Sequence, residues 1–286
     1  MPRPHSAIGG RAAATSTGGG AAGSGVIGAG AETVTAGAGL ATGAQPASAS
    51  SAPSPISAAH ARRGAMNRPD LADRVLFIDG EALILDKPAG LPVDEPRDRS
   101  PSVAAMLDDL TFGFKRAPLP VHRLDRDTSG CLLLSRNPKA HKRFQQAFES
   151  GLVAKRYLAV LAGVPGEESG TIDMALGKVS TAETGWRIVP DPRGKRAVTH
   201  WGVIRAAGDR ALVAFTPETG RTHQIRVHAA SGLGIPIVGD PHYGRAERGG
   251  MLLHAQRLSL PRDGKAAIEA EAPLPERFAA AGFGED

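Results

Sequence analysis

Two runs of the 286-residue chain concentrate groups capable of chemistry. In His122-Arg123-Leu124-Asp125-Arg126-Asp127-Thr128-Ser129-Gly130, carboxylates alternate with arginines and lead into a Thr-Ser-Gly turn. If 121–125 is extended, Arg123 and Asp125 share one face, with His122 and Leu124 on the other. A carboxylate fixed beside an arginine is held ionised, as a base or nucleophile requires. The same residues would serve equally as an Arg–Asp staple across a turn, and taken alone they do not choose. The second run is Thr219-Gly220-Arg221-Thr222-His223-Gln224-Ile225-Arg226-Val227-His228. Two arginines near a helix start suit a phosphate or carboxylate, or simply make a basic surface helix. A third, shorter cluster is Lys155-Arg156-Tyr157, where a tyrosine beside two cations either packs in a core or stacks on a base.

These clusters need elements to hold them. Val75-Leu76-Phe77-Ile78 and Ala82-Leu83-Ile84-Leu85, split by Asp79-Gly80, predict a hairpin. Lys87-Pro88-Ala89-Gly90 breaks into a loop, and a helix follows from Ser100 through Leu107. Cys131-Leu132-Leu133-Leu134-Ser135 predicts a buried strand. Asn137-Pro138 starts a helix whose Ala140, Phe144, Ala147 and Phe148 form one apolar stripe, closed by Gly151. Its outer Lys139, Lys142 and Arg143 are read as a solvated face. Tyr157–Leu161 and segments near 197–205 and 211–216 predict strands, 222–230 a short helix, and 251–253 and 268–270 closing strands. Few helices, not alternating with strands, imply an α+β class with a mixed, mostly antiparallel central sheet and flanking helices.

Composition bounds the partners. The formal net charge is +5 and the pI about 9.6, which points to an anionic partner. However, Arg3, Arg11, Arg62 and Arg63 against Glu32 place three of those charges in the first 65 residues, so only +2 remains for the rest. Any RNA affinity must therefore come from local placement of cations. Cys131 is the single cysteine, which excludes an internal disulfide and a Cys-x-x-Cys pair and fits a cytoplasmic setting. No apolar run approaches the roughly 20 residues of a membrane span. Residues 1–68 are rich in Ala, Gly and Ser and read as a disordered tail, as an upstream extension of a start at Met66, or as a segment loosely like a transit peptide. Residues 69–286 read as one catalytic domain.

With these residues in view, the chain resembles the RluA family of pseudouridine synthases. His122-Arg123-Leu124-Asp125 followed by Thr128-Ser129-Gly130 is similar to its signature. Lys87-Pro88-Ala89-Gly90-Leu91, Lys155-Arg156-Tyr157, Gly220–His228, Gly239-Asp240-Pro241-His242-Tyr243-Gly244, Leu253-His254-Ala255 and Ala272-Pro273-Leu274-Pro275 follow in the family's order. The resemblance spans Val75 to about Phe278. It implies that Asp125 is the catalytic aspartate, that Arg226 pairs with it, that Tyr157 lies against the uracil and that Arg123 holds a flipped-out conformation. Lys155, Arg156, Arg221 and His223 become candidate RNA contacts. Two departures stand out: Asp94-Glu95-Pro96 replaces a commonly histidine-containing stretch, and residues 1–70 do not form the small S4 RNA-binding domain many relatives carry.

The implied reaction breaks the N1–C1′ bond of a uridine, turns the uracil and rejoins it through C5. Uracil leaves as a stabilised anion, so one carboxylate suffices where glycoside hydrolysis needs two. Asp125 could attack C1′, add to C6 or remove the C2′ proton. Tyr157, with an ordinary pKa near 10, suits stacking better than base catalysis. The expected partner is an rRNA or tRNA loop, recognised by a monomer without cofactor, metal or obligate protein partner. A zinc site built on His223, His228 and His254 is disfavoured, because the first two are five apart and do not share a helix face. Asp127-Thr128-Ser129-Gly130 lacks the spacing of an aspartic protease.

Overall fold

The computed structural model describes residues 69–181 and 185–284; the tail expected over 1–68 lies outside the described residues. Strands β1 (Val75–Ile78) and β2 (Ala82–Lys87) form the expected hairpin, with Leu83 opposite Ile78. Asp79 closes its turn, its carboxylate accepting from the N–H groups of Glu81 and Ala82. β2 pairs in turn with β4 (Ser129–Ser135), to which the short β3 (Leu119–Pro120) is also paired. Every residue of β2 and β4 is buried, which explains why both read as unbroken apolar runs rather than alternating ones.

Helix α1 (Pro138–Glu149) begins where Asn137 and Pro138 predict, with Asn137 Oδ1 accepting from Ala140 N–H at 2.9 Å. The chain continues through β5 (Ala154–Leu161), β6 (Ser169–Asp173), β7 (Leu176–Thr181), β8 (Gly185–Pro190), β9 (Val198–Ala207) and β10 (Arg210–Pro217). Helix α2 (Gln224–Val227) opens into a π-type turn over His228–Gly232, so the predicted helix 222–230 is shorter and irregular. β11 (Leu253–Arg262), β12 (Lys265–Glu271) and α3 (Glu276–Ala280) complete the fold. The segment predicted helical from Ser100 is a 3-10 helix over Ala104–Leu110.

The strands lie in the order β1-β2-β4-β11-β5-β10-β9-β6, with β12 on the outer part of β11, while β7 and β8 make a separate two-stranded hairpin. The described pairings are antiparallel except β4 with β11. At that junction Gly130 opposes Ala255, with φ of +105°, and a Cβ there would lie 2.2 Å from the Ala255 carbonyl oxygen. Only glycine fits. The resulting sheet is the mixed, mostly antiparallel α+β architecture that the sequence predicts.

The sheet has two covered faces. On one, α1 packs Ala140, Phe144 and Ala147 against Ile84, Leu133 and Ile268. The opposite face is covered in two blocks. Val103, Met106 and Leu110 sit on Leu83, Leu85, Leu132 and Leu134, whereas Ile225 and Ala229 sit on Ala159, Val213 and Phe215. Tyr157 borders both blocks. The seam between them is where the clusters meet.

Candidate active site

Residues 121–125 do not extend as a strand, because β3 stops at Pro120 and the chain turns. Leu124 plugs the core beneath, while Asp125 remains half-buried at the seam. The turn is fastened from both ends. His122 Nε2 accepts from the Leu133 N–H at 3.0 Å, and its ring stacks on Phe148 with centroids 4.6 Å apart. Burial pushes the His122 pKa down to about 3, so the ring is neutral and free to accept that bond. On the other side, the Asp125 carbonyl accepts from Thr128 N–H at 3.1 Å.

The Lys87-Pro88-Ala89-Gly90 loop holds the next residue. Lys87 is fully buried, and its ammonium donates to the carbonyls of Pro88, Leu91 and Arg126 at 2.8, 2.8 and 3.0 Å. Gly90 N–H adds a bond to the same Arg126 carbonyl at 2.9 Å. Burial drives the lysine's pKa down to about 7, against the pull of Asp127 and Asp125. A buried lysine thus ties the backbone beside Asp125 to strand β2, a role that its sequence position as a loop opener does not reveal.

From the opposite block, α2 brings in Arg226. Its Nη1 donates to Asp125 Oδ2 at 3.0 Å. Its other edge grips Asp240, Nε to Oδ2 and Nη2 to Oδ1, both at 2.8 Å. Asp240 is fully buried, and its Oδ1 also accepts from the N–H groups of His242 and Tyr243 at 2.8 and 3.2 Å. Although burial opposes it, the Arg226 contact holds the Asp240 carboxyl below its ordinary range. Arg226 is raised despite its own burial, because two carboxylates flank it. Of the phosphate or carboxylate that two arginines at a helix start suit, Arg226 takes carboxylates.

His223 enters with a left-handed backbone, φ +54° and ψ +17°, a conformation non-glycine residues adopt at a cost. That twist turns its ring inward. Nδ1 shares a hydrogen bond with the Tyr243 hydroxyl at 2.8 Å, and Nε2 stands 3.8 Å from Asp125 Oδ2. Burial lowers its pKa to about 4 although Asp125 pulls the other way, so the ring is neutral at neutral pH. Its side chain is largely enclosed, in the cavity wall beside the carboxylate.

A cavity of about 480 Å³ opens over this centre, lined by Asp125, Arg226, His223, Tyr157, Lys155 and Arg221 among others. That size is typical of small-molecule sites. Tyr157 forms part of its wall where β11 bulges: His254 opposes Leu158 and Arg257 opposes Arg156, leaving Ala255 and Gln256 to face Tyr157 alone. Burial, and then Asp125, raises the Tyr157 pKa, keeping the phenol protonated. Lys155, two residues away, shares its face, and burial lowers its pKa. Arg156 points to the opposite face and does not line the cavity, which strand alternation requires. Arg123 reaches the rim, paired with Asp94 at 2.8 Å where both side chains are exposed. Among the described residues no group of three His, Cys, Asp or Glu could hold a metal ion.

A sequence profile described as RNA pseudouridylate synthase matches residues 81–231, more than half of the chain. The chain belongs to that family. An RNA pseudouridine synthase of Zymomonas mobilis is 59% identical over 218 residues, covering 75% of this chain and all of its own length. The ribosomal large subunit pseudouridine synthase D of the same organism is 34% identical over 235 residues, covering 75% and 73%. Among solved structures, human RNA pseudouridylate synthase domain containing 4 superposes with a TM-score of 0.63 at 25% identity, covering 77% of this chain and 95% of that one. The enzyme is an RluA-type pseudouridine synthase, an isomerase of uridine in RNA. The profile includes Asp125, Tyr157 and Arg226 and ends before Asp240.

Proposed function

We propose that this synthase isomerises uridines in unpaired loops of structured RNA, ribosomal or transfer, with Asp125 as its catalytic carboxylate. The observation that carries the assignment is the 3.0 Å bond from Arg226 to Asp125 at a cavity wall shared with Tyr157. Asp127 does not line that cavity, and Asp240 is consumed by Arg226 and two backbone N–H groups, so neither competes for the role.

The reaction balances without an external reagent. The N1–C1′ bond breaks, the uracil anion turns, C1′ bonds to C5, the C5 proton departs and N1 gains a proton. No oxidant, reductant or cofactor enters that sum. Arg226 fixes the carboxylate in place through a charge-assisted hydrogen bond. Tyr157 supplies a ring for the uracil to lie against, and its phenol, protonated at neutral pH, is a hydrogen-bond donor rather than a base. The target must leave its stack to reach a half-buried carboxylate, which costs a few kcal/mol and favours loops over duplexes. Lys155 and Arg221, both at the cavity, supply phosphate contacts, with Arg123 at its rim. Ribosomal RNA is supported by the kinship with a synthase named for the large ribosomal subunit.

The test is release of tritium from RNA labelled at uridine C5, followed by mapping of pseudouridine in a deletion strain. Release from neither ribosomal nor transfer RNA by the purified protein would refute the substrate assignment.

A further inference from the structure

The chain has two tryptophans, and they are placed differently: Trp201 is buried in β9 at 9% exposure, whereas Trp186 on β8 is 45% exposed. The β7–β8 hairpin is fixed at its base, where Leu176 and Ile188 pack on Val227 of α2 and the Ile188 N–H donates to the Tyr243 hydroxyl at 3.2 Å. Trp186 lies two residues from Ile188 and so on the same face, carried past the core. There its ring meets His223, with centroids 5.1 Å apart and planes 33° apart. His223 in turn is 3.8 Å from Asp125. Lys178, exposed on β7, brings Nζ to 5.3 Å from the Trp186 ring centre. It has no carboxylate partner among the described residues.

Single exposed apolar side chains are common and usually mean nothing. Trp186 differs in standing one ring from the carboxylate proposed to act, with an exposed ammonium beside it. An aromatic face coupled to a cation is how proteins hold unpaired nucleotides without reading their sequence. Extruding a uridine also deprives its neighbour of a stacking partner, and an exposed ring packed on His223, itself part of the cavity wall, can restore one.

We propose that Trp186 is a stacking platform for the unpaired base next to the target uridine, with Lys178 on the adjoining phosphate. The inference rests on the reaction proposed above, but its test is separable. Decauridylate is titrated into the protein while intrinsic fluorescence and RNA anisotropy are followed. Stacking quenches the emission of wild type, and Trp186→Phe, which keeps a ring, loses that quenching while binding within about threefold of wild type. Trp186→Leu weakens binding about ten- to hundredfold, and Lys178→Gln flattens the salt dependence by about one phosphate contact. On labelled RNA the loss in Trp186→Leu falls in KM. Unchanged decauridylate affinity in Trp186→Leu overturns the platform. So does a loss confined to kcat, which would make Trp186 a prop for His223. If wild type releases no tritium, the reaction assignment fails, while quenching still decides the platform.

Discussion

Arg226 and Asp240 meet through two parallel hydrogen bonds of 2.8 Å in a site where both side chains are buried. This clamp leaves Nη1 alone to face Asp125, so the carboxylate at the cavity is positioned by a guanidinium that a second carboxylate has already oriented. Asp240→Asn keeps the shape but removes the compensating charge. Uncoupling a buried pair costs about 3–5 kcal/mol. The variant should melt well below wild type, and in the fraction that folds kcat should drop about a hundredfold with a smaller effect on KM.

Lys87 yields a second expectation. Its three carbonyl acceptors draw the loop at 88–91 and the carbonyl of Arg126 onto one ammonium. Lys87→Met fills the volume but strands the carbonyls of Pro88 and Leu91 and leaves that of Arg126 only its Gly90 bond, each unsatisfied acceptor worth about 1–3 kcal/mol. Thermal melts should show a loss of several degrees or more. Activity should fall further than Tm implies, because the backbone beside Asp125 loosens.

Acid stability tests the two neutral histidines. The folded pKa values lie near 3 for His122 and near 4 for His223, against 6.5 ordinarily. Below pH 6.5 the unfolded chain takes up protons that the folded chain refuses, so the unfolded state binds more protons and stability rises with pH. The contribution is complete above 6.5 and is lost progressively as the pH falls toward 4. Urea denaturation at pH 7, 6, 5 and 4.5 should show that decline, with a slope of up to about 1.4 kcal/mol per pH unit for each histidine. His122→Gln should reduce the slope by about one proton.

Much of this is legible in the sequence, for definable reasons. The β2 and β4 runs, the Asn137-Pro138 start of α1 and the strands near 197–205 and 211–216 carry local signals that tertiary packing leaves intact. The β7–β8 hairpin is missed because Leu176–Thr181 is mostly polar and Gly185–Pro190 mixed, with one small cluster to bury. Lys87 reads as a loop residue because nothing local announces three carbonyls converging from elsewhere. Asp240 sits in a Gly- and Pro-rich segment with no periodicity, and its meaning lies in Arg226, 14 residues upstream. Arg156 is the opposite case: the strand period was visible and already sets it on the face away from Tyr157.

The central claim is that Asp125 performs the chemistry, and single-turnover tritium release by Asp125→Asn tests it most directly. The substitution keeps the side chain's shape, and Arg226 retains its buried clamp on Asp240, so melting temperature and RNA affinity should stay near those of wild type. The account predicts a fall in release of at least about a thousandfold, the scale expected when a group that reacts with the substrate is removed. Release by Asp125→Asn at the wild-type rate would contradict it.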